Sequence, residues 1–333
     1  MVCWIDQETG EIRTQNLRHN RDELDRFYSS FPPATIGVEA SLKMNWFEDL
    51  IFDKGHKLLV GNPVLIRKRA TSRHKSDRRD AEHILRLLVK DEFPTLWRRS
   101  RESDRLLEVL RLRRSLVRQR TQICNRLQSM THEIGLIRGR MRTQRFRGQL
   151  ESAEMDDVQQ LRRGNLLALL DELERRVAEL ERWLKDRADV DERAQLLLTQ
   201  TGVGYLTALA MVHTIGDVGR FASMRQVTAF VGLDPLEKSS STRIRFGHVS
   251  KAGSSLLRQL LVHSAHMAVR RDIRLKSFYK RLVRKKAKSV AKTAAARKLL
   301  VKLAIMLRDS ITADEFDSRG SATVDNAREP RAL

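Results

Sequence analysis

The spacing of apolar positions changes twice along the chain, and each change marks a different kind of structure. Up to about residue 95, short apolar runs alternate with helical patterns. Met1–Ile5 is apolar, and Asp6–Gly10 (DQETG) has the composition of a turn between two short strands. Leu24, Phe27 and Tyr28 share a helical face between Asp22 and Phe31. Pro32-Pro33 ends that helix, because proline cannot continue the hydrogen-bond ladder. Thr35–Val38 predicts a buried strand that ends at Glu39. Met44–Lys54 predicts a helix closed by Gly55, and Lys57–Val60 a further strand stopped by Gly61-Asn62-Pro63. Ser76 is a good N-cap for the helix that carries Ile84, Leu85, Leu87 and Leu88. Strands alternating with helices predict an α/β region over residues 1–95, a sheet with helices packed on it.

Long helical repeats follow over residues 96–192. Val109, Leu116, Ile123 and Met130 recur every seven positions, and Gly135 and Gly139 break the pattern. Arg138–Gln149 is basic and poorly periodic, which predicts a loop. Leu166, Leu170, Leu173, Val177, Leu180 and Leu184 then alternate four and three apart, a strong coiled-coil signal. A heptad fixes the seam but not the partner. Another copy of the chain and the preceding helix both suit it.

From Ala194 the pattern shortens again. In LLLTQTGVGYLTALAMV, Gly202-Val203-Gly204 lies between two helical runs, a helix-hairpin-helix outline. Glycines there let the backbone turn tightly and bring its N–H groups near a phosphate. Helices are predicted at Ser223–Phe230, at Ser254–Ala268 and across the basic stretch Arg274–Leu307, giving a helical region over 193–312. Residues 313–333 are polar and rich in small side chains, which predicts a disordered tail.

Charge sharpens this division. The 333 residues carry 64 Lys+Arg against 42 Asp+Glu, a formal +22. Residues 1–95 hold 16 basic and 15 acidic side chains, whereas residues 201–312 hold 22 and 5. A local excess of this size calls for a polyanion, and nucleic acid leads the candidates. A basic surface that only keeps the chain in solution is the plainer alternative. No apolar run approaches the ~18–20 residues of a membrane-spanning helix, and the N-terminus lacks a secretory pattern. Cys3 and Cys124 fit no metal spacing, so a reducing, cytoplasmic compartment is expected.

Two groups of residues could carry chemistry. Glu39 ends a predicted strand, and Asp77 and Asp80 share a face in the first turn of a predicted helix. Such carboxylates suit a hard divalent cation like Mg²⁺, and paired cations clamp the oxygens of a phosphoryl transfer. Asp77 and Asp80 could equally just complement the helix dipole. The second group is DPLEKSSSTRIRFGHVSKAG, residues 234–253, where Ser239, Ser240, Ser241 and Thr242 are flanked by Arg243, Arg245 and Lys251. A serine attacking a phosphodiester needs cations around the phosphate. A flexible polar loop has the same composition. His263 and His266 lie three apart on a helix without a third metal ligand nearby.

Three stretches in order resemble the IS110-type, or DEDD, transposases of insertion sequences. They are TIGVEAS with GNP and KSDRRDAEHILRLL, then LLTQTGVGYLTALAMVHTIGDVGRFASMRQVTAFVGLDP, then SSSTRIRFGHVSKAGSSLLRQLL with FYKRLVRKKAKSVAKTAAARKLL. They span about Thr35 to Leu307. The resemblance implies a RuvC/RNase H-like N-terminal domain, a coiled-coil middle and a helical C-terminal transposase domain. It implies Mg²⁺-dependent DNA strand exchange, with Glu39, Asp77 and Asp80 among four acidic metal ligands. By motif position it implies Ser240 as the nucleophile, with Ser239 the nearest competitor. Arg243, Arg245 and Lys251 would hold the phosphate, and Gly202 and Gly204 would approach nucleic acid. A structured guide RNA and a homodimer or tetramer are implied as partners. One departure stands out: the family's first Asp lies on an opening strand, whereas Asp6 sits in turn chemistry. The chain is therefore expected to lack that strand and one ligand, which would leave a weakened or inactive copy; the alternative is that Asp6 serves. A nucleic-acid-binding copy without catalysis and a RuvC-like junction resolvase are the competing functions.

Overall fold

The computed structural model describes residues 1–6, 8–40, 45–70, 76–136, 139, 141, 143–237 and 246–325. They form two compact units, Met1–Arg98 and Arg99–Leu333.

The first unit is α/β and contains β1 (Val2–Ile5), β2 (Ile12–Gln15), α1 (Arg21–Ser29), β3 (Thr35–Glu39), α2 (Asn45–Asp53), β4 (Lys57–Gly61), α3 (Pro63–Lys68) and α4 (Asp77–Val89). Its described strands make two pairs and not one continuous sheet. β1 and β2 form an antiparallel hairpin, and β3 and β4 run parallel with Glu39 opposite Gly61. A parallel pair needs a crossover, and α2 supplies it. Leu24, Tyr28, Phe47, Leu50 and Ile51 form the core under this pair. His56 is buried within it. The Ala34 amide donates to His56 Nδ1 at 3.1 Å, so Nε2 carries the proton and donates to the Tyr28 carbonyl at 2.9 Å. The imidazole thereby ties the end of α1 to the start of β3. Pro63, expected only to stop a strand, also opens α3, where its fixed φ and missing N–H suit the first helical position.

The second unit is helical. It comprises α5 (Arg101–Glu133), α6 (Gln144–Glu151), α7 (Asp157–Val190), α8 (Glu192–Leu198), α9 (Tyr205–Ile215), α10 (Met224–Val231), a short antiparallel pair β5 (Pro235–Glu237) and β6 (Phe246–Val249), α11 (Ser255–Arg271), α12 (Ile273–Val283), α13 (Lys288–Asp309) and α14 (Ala313–Asp325). α5 and α7 pack as an antiparallel hairpin. Arg113 pairs with Glu181 near one end, and Glu133 meets Arg162 at 3.1 Å near the other. Leu170, Leu173, Val177 and Leu184 are buried, and the heptad seam is covered by the preceding helix of the same chain. Where the spacing allowed a second copy, this intrachain partner takes the seam.

Three further expectations change. The helical region over 96–192 is not a separate module, because Leu106, Leu107, Leu110, Leu184 and Ala188 belong to the same core as α8–α13. Part of the basic stretch 138–149 is helical: α6 buries Phe146 and Leu150 against α5 and α7, so two apolar side chains outweigh weak periodicity. The expected tail begins with α14, fastened by Lys302 Nζ to Asp317 at 2.9 Å and by the Ala313 amide to Thr199 Oγ1 at 3.0 Å. The basic stretch 274–307 divides into α12 and α13, and buried alanines at 291, 295, 296 and 304 let α13 approach its neighbours closely.

α9 lies at the centre of this unit, with every residue from Thr207 to Ile215 buried. Two of its three buried polar side chains, Thr207 and His213, find partners, whereas the Thr214 hydroxyl makes no hydrogen bond with the described residues. Thr207 and Ser264 share a hydroxyl hydrogen bond of 2.9 Å, and His213 Nδ1 lies 2.9 Å from Ser103 Oγ. The other His213 nitrogen stands 3.4 Å from an Asp191 carboxylate oxygen. The types Ser, His and Asp occur in acyl-transfer triads, but here they pin α5, the α7–α8 junction and α9 together inside the core.

Leu173→Ala is expected to lower the unfolding free energy by about 2–5 kcal/mol, at any protein concentration, in denaturant titrations. A loss that disappears at high concentration would place the seam between subunits. Burial pushes the His213 imidazole below its ordinary range, so the folded state holds it neutral and the unfolded state takes up a proton first. Its contribution is present above about pH 6.5 and is lost as pH falls further. His213→Gln should therefore flatten the decline in melting temperature between pH 7 and pH 5; an unaltered decline would refute the assignment.

Candidate functional site

In the first unit the carboxylates are placed by a strand end and a helix start. Glu39 is the last residue of β3 and is exposed. Asp77 and Asp80 occupy the first turn of α4, also exposed, behind a Ser76 side chain that accepts from the Arg79 amide at 3.3 Å. His83 Nε2 lies 3.0 Å from the Ile66 carbonyl on α3, which follows the C-terminal end of β4. Farther along α4, Leu88 fills the space over Gly37, where a Cβ would meet its Cδ1 at 2.7 Å. α4 therefore starts at the C-terminal edge of the β3–β4 pair and runs back along β3. The end of β3, with Glu39, and the start of α4, with Asp77 and Asp80, thus lie towards the edge where open α/β sheets take ligands.

They share an edge without forming a cation site. Among the described residues no group of three or more His, Cys, Asp or Glu side chains could hold a metal ion. The donor chemistry suits a hard cation, but the spacing does not. Asp6 is occupied otherwise. Its carboxylate accepts from the Glu8 and Thr9 amides at 3.0 and 3.3 Å, and Arg13 stands 3.2 Å away. Those backbone donors hold its carboxyl below the usual range. It closes the β1–β2 turn, as its neighbours in sequence predict.

The candidate nucleophile Ser240, its neighbours Ser239 and Ser241, and Arg243 and Arg245 lie outside the described residues. The stem that carries them is described and well fastened. β5 leads in and β6 leads out. The Ser250 amide donates to the Asp234 carbonyl at 2.9 Å, and the Ser250 hydroxyl bonds the Asp234 carboxylate. Arg258 of α11 donates to the carbonyls of Val231 and Gly253 at 2.9 and 2.7 Å, closing α10 against the strand exit. Lys251 is exposed at this exit. Its φ of 56° is a left-handed conformation that a lysine rarely adopts, held by the hydrogen bond its backbone N–H donates to the Gly232 carbonyl.

Gly202 and Gly204 have different roles. Gly202 turns with φ +88°, and a Cβ there would lie 2.5 Å from the Ala268 backbone nitrogen, so it is required by packing on α11. Gly204 is the N-cap of α9 and nothing crowds it.

Sequence reasoning put the phosphate contacts on the serine loop and missed a basic cleft beside it. Arg225, Arg281, Arg297 and Lys298 come together from α10, α12 and α13. The one trace in the sequence is the density of Lys and Arg after residue 270. No described helix is long and apolar enough to cross a membrane.

Comparison with known proteins converges on one family. Residues 194–280 match the model of the transposase IS116/IS110/IS902 family, and residues 1–135 match a second transposase model, that of the DEDD transposases of IS110. A probable family 20 transposase of Pseudomonas aeruginosa is 30% identical over 320 residues, covering 93% of this chain and 94% of that protein. The transposase for insertion sequence element IS1111A of Coxiella burnetii is 30% identical over 275 residues, 81% of this chain and 74% of its own. A pilin gene-inverting protein of Moraxella bovis is 26% identical over 251 residues, 74% of this chain and 70% of its own. With both matched regions in order, and a relative covered almost end to end, the chain belongs to the IS116/IS110/IS902 family of transposases.

Proposed function

We propose that this transposase cuts and rejoins DNA through a serine of its β5–β6 loop. Ser240 Oγ attacks a backbone phosphorus and forms a phosphoserine ester. One P–O bond of the DNA breaks, and the departing oxygen takes up a proton. A hydroxyl of a second strand then attacks the same phosphorus, and Ser240 leaves with its proton restored. Arg243, Arg245 and Lys251 offset the charge of the phosphate while the bonds change. The observation that supports this reading is the stem: Asp234, Ser250 and Arg258 fasten the described residues on either side of the serine segment, next to a surplus of cations.

The first unit contributes Glu39, Asp77 and Asp80 on a RuvC-like framework. Family membership suggests dependence on a divalent metal such as Mg²⁺. The three carboxylates are not gathered at one point, so they do not by themselves fit such a metal. DNA is the partner the relatives' names imply, and the +17 of residues 201–312 suits it. A structured guide RNA enters by family resemblance. Joining two duplexes calls for two or four copies, and their interface lies outside the Leu166–Leu184 seam, which is already covered.

Suicide DNA substrates should trap a covalent protein–DNA adduct that Ser240→Ala abolishes. An adduct surviving in Ser240→Ala but lost in Ser239→Ala moves the nucleophile by one residue. Strand cleavage that survives the Ser239/Ser240/Ser241 triple alanine protein would favour a junction resolvase. Glu39→Gln, Asp77→Asn and Asp80→Asn are each expected to reduce cleavage at least about a hundredfold with little change in melting temperature. If Asp77→Asn and Asp80→Asn instead leave cleavage intact and cost only about 0.3–1 kcal/mol of stability, the acids serve the helix dipole.

A further inference from the structure

We infer that the cleft bounded by α10, α12, α13 and β5 holds an unpaired stretch of the DNA strand being cut. This rests on the serine-loop reading above and adds a strand-binding site to it.

The cleft is a cavity of about 830 Å³. Cavities of roughly 300–1,000 Å³ take compact ligands, so this one has room for about one or two nucleotides of a single strand. Four cations, Arg225, Arg281, Arg297 and Lys298, line it with two carboxylates, Asp234 and Glu237, so the cations are in excess. None forms an ion pair with a described residue, although ion pairs occupy many of this chain's other basic side chains, Arg113, Arg147 and Lys302 among them. Self-repulsion among unpaired cations is a cost that a bound polyanion removes. The Phe278 ring fixes two of them. Lys298 Nζ lies 4.8 Å and Arg281 Cζ 5.8 Å from its centroid, a cation–π arrangement that orients charge without neutralising it. A basic groove with an aromatic ring is the usual construction of a single-strand site.

Position supplies the rest of the argument. Pro235 and Glu237 of β5 form one wall, and Glu237 directly precedes the segment 238–245 that carries the three serines. A strand lying in this cleft therefore passes the described end of β5, one residue before the serine segment begins in the sequence. Melting a short stretch of the bound DNA would then be stabilised by the cations of the cleft and by stacking on its aromatic ring.

The test is binding of a short, labelled, mixed-sequence single-stranded DNA by the full chain in EDTA, followed by fluorescence anisotropy across a salt series. Arg281→Ala/Lys298→Ala should weaken binding at least about tenfold and reduce the slope of log K against log salt by about 1.4, at about 0.7 per phosphate contact. Phe278→Leu keeps both charges, so it should lose affinity several-fold with the slope unchanged. Arg281→Lys/Lys298→Arg should keep the parent slope, which a folding defect would not allow. Unchanged affinity and slope in the alanine pair would overturn the proposal. So would an equal loss on duplex DNA, or a preference of the cleft for RNA of the same sequence. The Ser239/Ser240/Ser241 triple alanine protein should bind the strand as the parent does. If the adduct proves not to involve a serine while the cleft variants still lose single-strand binding, the nucleophile assignment falls and the cleft stands.

Discussion

The second unit depends on the complete burial of α9. A helix with no solvent-facing stripe must be enclosed by other elements, and its buried polar side chains cost stability unless they are partnered, as Thr207 and His213 are and Thr214 is not. α5, α7, α8 and α11 enclose it. Ser264 meets Thr207, and Ser103 and Asp191 meet His213. The tight turn at Gly202 is part of the same constraint. α9 can lie under α11 only if the backbone before it passes within van der Waals reach of Ala268, where no side chain fits. The GVG motif is thus first a packing device. Gly204, uncrowded at the helix start, keeps the freedom a phosphate contact would use.

That core gives the serine loop a rigid base. α11 packs on α9 and presents Arg258 to the carbonyls of Val231 and Gly253. Those carbonyls end α10 and close the exit of β6, so the loop stem is tied to the most buried helix through two intermediates. A nucleophile must meet its phosphorus with sub-ångström tolerance, and sites on rigid supports achieve this better than free loops. The positive φ of Lys251 fits the same picture, a strained residue kept in place by its surroundings at the edge of a candidate site.

The first unit works by a different logic. Its carboxylates belong to a parallel strand pair and to the helix start beside it, at the edge where such folds present ligands. Helix position and strand register bring Glu39, Asp77 and Asp80 to a common edge. They do not bring them to a common point. Residues 1–95 and 201–312 differ in the charge they present, near balance in the one and a strong cationic excess, +17, in the other.

Local rules made much of this legible. Strand ends, the Ser76 cap, the Pro32-Pro33 stop and the Asp6 turn follow from residues within a few positions of one another, and so does the resemblance that named the family. Apolar spacing also predicted a seam from Leu166 to Leu184. Its partner could not be read, because a heptad describes one face and α5 and a second copy present equivalent surfaces to it. Tertiary structure chose α5. It also joined the helical middle to the C-terminal core, since Leu106 and Ala188 meet α9 across long sequence distances. It turned the start of an expected tail into α14, through Thr199 and Lys302, which no local pattern connects to residues 313–325. The basic cleft belongs to the same class. Arg225 and Lys298 are 73 positions apart in the sequence and line one cavity only because α10 packs against α13. Charge density could be counted along the chain, but its focus on one place required the fold.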